Sequence, residues 1–138
     1  MANLIRFGVS IEATLLRNFD RFIRERQYEN RSEALRDLIR EALVEEEWEK
    51  DEVIAGGIAF VYDHHHKQLV NKLLDIQHDF HDLVVSSQHV HLDHSNCLEI
   101  VIVKGSSVKV GALYHQLKSM KGIKHIDILK TTTGSRLK

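Results

Sequence analysis

Residues Ile5 to Ile11 alternate strictly, with Ile5, Phe7, Val9 and Ile11 on one side and Arg6, Gly8 and Ser10 on the other. A strand of this kind needs pairing partners, and the residues that follow supply only helices. Leu15, Leu16, Phe19, Phe22 and Ile23 recur at helical spacing. After a break around Tyr28-Glu29-Asn30, a second apolar stripe runs through Ala34, Leu35, Leu38, Ile39, Ala42 and Leu43. Asn30 caps that second helix, with Glu33 as its capping-box partner. Strand, helix and helix total about 45 residues, near the size at which oligomerisation is needed for stability. The simplest solution pairs the strand with a copy of itself in a two-stranded antiparallel ribbon. The acidic run Glu45 to Glu52 then reads as a solvated, frayed helix end and connector.

Beyond Gly56-Gly57 the period changes again. The pattern predicts strand 58–63, helix 65–80, strand 83–91, strand 97–104, helix 106–121 and strand 123–130, with Gly122 as a C-terminal cap. This β-α-β-β-α-β order is the ferredoxin-like arrangement, so the chain as a whole is α+β. Both helices cover one face of the sheet. Val101 and Val103 are expected on the other face beside His89 and His91, buried between subunits. The expected division is 1–48 for the β-α-α part, 49–56 for a linker and 57–138 for the second domain.

Charge divides the chain at the same place. Residues 1 to 44 hold eight Arg and neither Lys nor His, whereas all ten His lie at or after His64. A net charge of −1 argues against a broadly basic nucleic-acid binder. No apolar run approaches the roughly 20 residues needed to cross a bilayer. The start MANLIRFG lacks the features of a signal peptide, and the single cysteine cannot form an intrachain disulfide. Together these point to a cytoplasmic protein.

That one cysteine sits in HVHLDHSNCLE, residues 89 to 99. On a strand His89 and His91 share a face, and a turn through Asp93-His94-Ser95-Asn96 returns the chain. The expected register sets His91 opposite Cys97 and His89 opposite Glu99, within reach of one ion. A slip by one residue would turn Cys97 away. His78 on the preceding helix is the best candidate for a fourth ligand and reaches towards a neighbouring subunit; Glu99 orients the ring of His89. Imidazole and thiolate suit Zn, Cu and Ni. The run His64-His65-His66 lies at a strand-to-helix corner, solvated or forming a weaker auxiliary site. Four protein ligands close the site, and neither a nucleophile nor a phosphate loop accompanies it, so an enzyme is not expected.

The ribbon's polar face, Arg6 with Ser10, fits the DNA major groove. Asn30-Arg31-Ser32 at the start of the second helix offers backbone amides to a phosphate. IRFGVSIEATLL with YENRSEALRDLIREAL resembles the ribbon-helix-helix DNA-binding domain. Joined to IQHDFHD, HVHLDHSNCLEIVIVKG and KGIKHIDIL, it resembles the nickel-responsive transcriptional regulator family over nearly the whole chain. The resemblance implies Ni(II), one per subunit, held in a square plane by His89, His91, Cys97 and His78 of another subunit. It implies a homotetramer, in which two ribbon-helix-helix dimers flank four ACT-like domains, and repression of nickel uptake through a palindromic double-stranded operator. It also implies an interdomain cation site at Glu33 and Asp37. Gly8 departs from the family, which often has a hydroxyl side chain there, so the operator sequence does not carry over.

A zinc- or copper-responsive regulator on the same scaffold is the alternative. An amino-acid-sensing ACT module leaves the His/Cys cluster unexplained. A metal-storage protein leaves the Arg6-Gly8-Ser10 face without a purpose.

Overall fold

The computed structural model describes residues 3–137. They fall into two compact units, one running to Leu43 and including the residues from Arg136 on, the other spanning Val44–Ser135.

In the first unit, helix α1 (Ala13–Glu25) and the start of α2 (Arg31–Glu49) follow an extended segment. That segment, residues 3–12, carries no strand hydrogen bonds, although alternation predicts a strand over 5–11. The reason is physical: an extended segment becomes a strand only with a ladder partner, and no other described segment of the chain lies alongside this one to supply it. Phe7, Val9, Ile11, Leu15, Leu16, Phe19, Leu35 and Leu38 accordingly line an open apolar groove. Asn30 caps α2 as expected, its Oδ1 accepting from Glu33 N at 2.9 Å. Glu33 reaches back one residue further than a standard capping box, its Oε2 accepting from Glu29 N at 3.2 Å.

The second unit has β1 (Val53–Asp63), α3 (Lys67–Asp79), β2 (Val84–His91), β3 (Asn96–Ser106), α4 (Ser107–Ser119) and β4 (Ile123–Lys130). The strands form one sheet in the order β2-β3-β1-β4, and every neighbouring pair is antiparallel. This is the α+β ferredoxin-like topology that the element order predicts. Ile54, Ile58, Phe60 and Tyr62 of β1 pack with Leu69 and Leu73 of α3 and with Val110, Leu113 and Leu117 of α4. β1 begins at Val53, five residues before the predicted strand, and runs straight through Gly56-Gly57. A side chain cannot stand at Gly56, where a Cβ would lie 2.7 Å from the Leu129 carbonyl oxygen and 3.3 Å from Trp48. Glycine here marks close approach of backbone rather than a break.

Two further expectations are corrected. Val101 and Val103 face the helices, not the open side: both are in the core and at most 1% exposed. Ile100 and Ile102 alternate with them onto the face that the helices leave uncovered. The acidic run is likewise not wholly solvated. α2 continues to Glu49 and buries Glu47, whose Oε2 accepts from Thr132 Oγ1 at 2.9 Å. Trp48 Nε1 donates to the Thr131 carbonyl at 2.9 Å, which ties α2 to the segment after β4.

Candidate metal centre

The β2–β3 turn is built by one carboxylate. Asp93 Oδ1 accepts from the backbone N–H groups of Ser95 (2.9 Å) and Asn96 (2.8 Å), and its Oδ2 accepts from Asn96 Nδ2 (2.9 Å). The Asn96 side-chain and backbone donors, with the Ser95 amide, hold the Asp93 carboxyl down at about 2. A turn fixed in this way sets the register: His91 pairs with Cys97 and His89 with Glu99, as the spacing predicts. Cys97 pairs in turn with Tyr62 and Glu99 with Phe60. The whole constellation therefore lies on the helix-covered face, at the end of the sheet nearest the hairpin.

Cys97 is fully buried, and its Sγ lies 3.3 Å from His91 Nδ1 and 3.3 Å from His64 Nδ1. Burial first, and then the charges of Asp63, Asp93 and Glu99, push its thiol above the ordinary value. The thiol is thus protonated at neutral pH in the metal-free protein, within a field of carboxylates that a cation would satisfy. The Tyr62 hydroxyl is hydrogen-bonded to His89 Nδ1 at 3.1 Å, with the imidazole tautomer setting which of the two donates. That hydroxyl keeps its proton, because burial, Glu99 and Cys97 push it up to about 12. Glu99 Oε1 lies 4.0 Å from His89 Nδ1, and Oε2 accepts from Gln77 Nε2 on α3 at 2.9 Å. Burial raises the Glu99 carboxyl, opposed by Gln77 and His89.

His78 follows Gln77 on α3 but is exposed, with its ring 6.0 Å from that of His81. It is not among the donors gathered around Cys97 within the chain. His64 is; the triple-His run admits an auxiliary site, but its spacing does not single out His64. The signal lies in topology: β1 pairs with β3 to its last residue, so the corner after Asp63 meets the hairpin. There His64 N donates to the Ser95 carbonyl at 3.2 Å. The other two histidines of the run have local work. His66 Nδ1 accepts from Leu69 N at 3.1 Å, capping α3, which is why that helix starts at Lys67 rather than 65. His65 Nδ1 lies 3.1 Å from Asp63 Oδ1.

In the first unit, Arg6, Gly8 and Ser10 are exposed on the extended segment, and open space surrounds Gly8. Asn30, Arg31 and Ser32 are exposed at the start of α2. Arg31 already grips a carboxylate: its Nε and Nη2 donate to the two oxygens of Asp20 at 2.9 Å each. Of the two acids four residues apart, Glu33 is engaged with Glu29 N and Asp37 lies 3.5 Å from Arg40 Nη1.

Residues 55–131 match the family described as NikR C terminal nickel binding domain. Relatives named "Putative nickel-responsive regulator" include one from Syntrophus aciditrophicus, 56% identical over 125 residues, covering 91% of each chain. Another, from Chlorobaculum tepidum, is 52% identical, covering 93% of this chain and 96% of its own. A third, from Desulfovibrio desulfuricans, is 52% identical over 137 residues and covers 99% of each. Among solved structures, an uncharacterized protein from Thermotoga maritima has a TM-score of 0.52 at 13% identity, covering 56% of this chain and 96% of its own.

Proposed function

The chain belongs to the nickel-responsive regulator family, and from that premise we propose that it is a nickel-dependent DNA-binding regulator that represses nickel uptake when loaded. One observation carries the proposal: a turn-fixed hairpin presents His89, His91 and Cys97 on one face, with Glu99 and Tyr62 against His89. Two imidazoles and a thiol, with a third imidazole from outside the chain, make an N₃S donor set suited to Ni(II). The raised thiol and the surrounding carboxylates also fit a bound cation. Nickel supplies a positive charge that stabilises the Cys97 thiolate.

The protein's own residues do the rest. Tyr62 and Glu99 orient His89, and Gln77 couples Glu99 to α3. The exposed His78 is placed on the same helix, one residue on, so it is free to serve the site of a neighbouring subunit. An ion held by both would fix α3 of one subunit to the hairpin of another, in a homotetramer binding one Ni(II) per subunit. The open groove lined by Phe7, Val9 and Ile11 supports pairing of the 5–11 segment with a second copy. That ribbon presents Arg6 and Ser10 to the major groove of a palindromic operator, while Asn30, Arg31 and Ser32 meet phosphate. Residues 1–48 serve as the DNA-binding part and 57–138 as the metal-binding and tetramerisation part; of the expected connector 49–56, residues 53–56 already belong to β1. Glu33 and Asp37 are the candidates for a cation between the two. The work is cytoplasmic, where operator DNA is; no described helix is long and apolar enough to cross a membrane.

Selection of DNA sequences from a random pool with nickel-loaded protein tests this. Recovery of a palindrome that is bound only with Ni(II) is expected. Recovery of no sequence, with or without metal, contradicts it.

A further inference from the structure

Lys124 stands where β4 goes out of step. The β1–β4 register shifts between Val61 and Tyr62: Val61 faces His125, Tyr62 faces Ile123, and Lys124 has no opposite residue on β1. An extra residue of this kind on an edge strand re-aims its side chain. Lys124 Nζ donates to Asn96 Oδ1 on β3, although β1 lies between the two strands. His91, Cys97, Tyr62 and Ile123 pair in one row across the four strands, so Lys124 adjoins the row that carries two of the donors. Asn96 closes the β2–β3 turn and immediately precedes Cys97. Its backbone N–H and its Nδ2 both donate to Asp93, and its carbonyl accepts from Leu92 N at 2.9 Å. Charge decides which way round the Asn96 amide stands. Reversed, it would set a carbonyl against the Asp93 carboxylate and an NH₂ against the ammonium. Lys124, Asn96 and Asp93 thus form one chain of donation, from a cation through an amide to an anion. The lysine charge also lowers the Asp93 carboxyl, after the hydrogen bonds from Asn96 and Ser95.

We propose that Lys124 is a positioning residue for the metal centre: through Asn96 it tethers the Cys97-bearing turn to β4 and holds that turn in metal-binding register before the ion arrives. The inference rests on the nickel donor set proposed above. The apparent Kd of a site rises as the fraction of molecules in the competent arrangement falls. An exposed contact of a charged side chain shifts such a fraction only modestly, so losing it weakens the site without abolishing it. The two roles open to a lysine at this place have opposite signs. As a tether it strengthens nickel binding. As a charge alone, beside a site for a cation, it weakens nickel binding by repulsion. The direction of the change on removing it therefore separates them.

The test uses the full-length metal-free protein and Ni(II) in competition with a chelator, with no DNA present. Lys124→Met keeps the aliphatic stem and removes donor and charge; it should bind Ni(II) about 3- to 5-fold more weakly. Lys124→Arg restores a cationic donor and should bind as wild type does. In an Asn96→Ala background, adding Lys124→Met should change the affinity no further, because the lysine acts through Asn96. In the metal-free protein, hydrogen exchange at the Ser95 and Asn96 amides, both donors to Asp93, should quicken in Lys124→Met. If Asn96→Ala does not fold, this exchange and the Lys124→Met affinity decide the matter. Unchanged or tighter nickel binding by Lys124→Met overturns the tether. So does Lys124→Arg as weak as Lys124→Met, an equal loss in both backgrounds, or unchanged exchange. A wild type that binds Ni(II) without thiolate absorption refutes the donor set itself. Wild-type thiolate absorption with an unaffected Lys124→Met refutes the tether alone.

Discussion

Tyr62→Phe is the sharpest probe of how the protein prepares its metal donors. The ring is 2% exposed and belongs to the core, so a phenyl group refills its space. What is lost is the hydroxyl hydrogen-bonded to His89 Nδ1 at 3.1 Å. A net hydrogen bond of about 0.5–1.5 kcal/mol converts to a roughly 2- to 13-fold change in equilibrium constant. The bond here is part-buried and fixes the orientation of a ligand, which favours the upper end, about 10-fold weaker Ni(II) binding. Stability should fall by no more than about 1 kcal/mol, because the half-exposed His89 ring can turn to water. Competition with a chelator measures the affinity, and thermal melting of the metal-free protein measures the stability. Affinity unchanged within experimental error would show that Tyr62 does not position His89. A loss comparable to that of Cys97→Ala would make Tyr62 itself a ligand.

Arg6→Ala should weaken operator binding by roughly 1–3 kcal/mol, leaving Ni(II) affinity unchanged; equal loss on random DNA would make Arg6 a phosphate contact. Asp20→Asn should release Arg31 from its paired carboxylate and steepen the salt dependence of DNA binding by about 0.9 in log–log slope. An unchanged slope would hold Arg31 off the DNA altogether. Because Cys97 must lose a proton held tightly by burial, Ni(II) affinity should rise about tenfold per pH unit until the raised thiol value is reached. The same shift makes the metal-free fold most stable below the unfolded thiol's pKa, with stability declining as pH rises from there towards the folded value. Cys97→Ala should remove that decline. Gly56→Ala should cost about 1–3 kcal/mol, read as a lower melting temperature, since its Cβ meets the Leu129 carbonyl at 2.7 Å.

The spacing of HVHLDHSNC contained the hairpin, because Asp93 and Asn96 are local turn-formers and period 2 then dictates which residues oppose. The order of elements was legible for the same reason: each strand and helix carries its own period. Facing was not. Val101 and Val103 alternate with Ile100 and Ile102, and both pairs are apolar, so composition cannot say which pair the helices cover. His64 was hidden because it meets Cys97 across 33 residues, through the β1–β3 pairing. Gly56 and Glu47 were misread for a related reason: their meaning lies in Leu129, Trp48 and Thr132, which are distant in sequence.

The central claim is that one nickel site joins two subunits, with Cys97 from one and His78 from the other. It is tested most directly by mixing two inactive proteins. His78→Ala and Cys97→Ala are each unfolded and refolded alone, then together, and the Ni(II)–thiolate absorption and nickel-dependent DNA retention are recorded. Each variant alone should show neither signal. Mixed assemblies should regain both, because a subunit carrying Cys97 can receive His78 from its neighbour. Absence of recovery in assemblies shown to contain both variants would place the two ligands in one chain, or remove His78 from the site, and contradict the account.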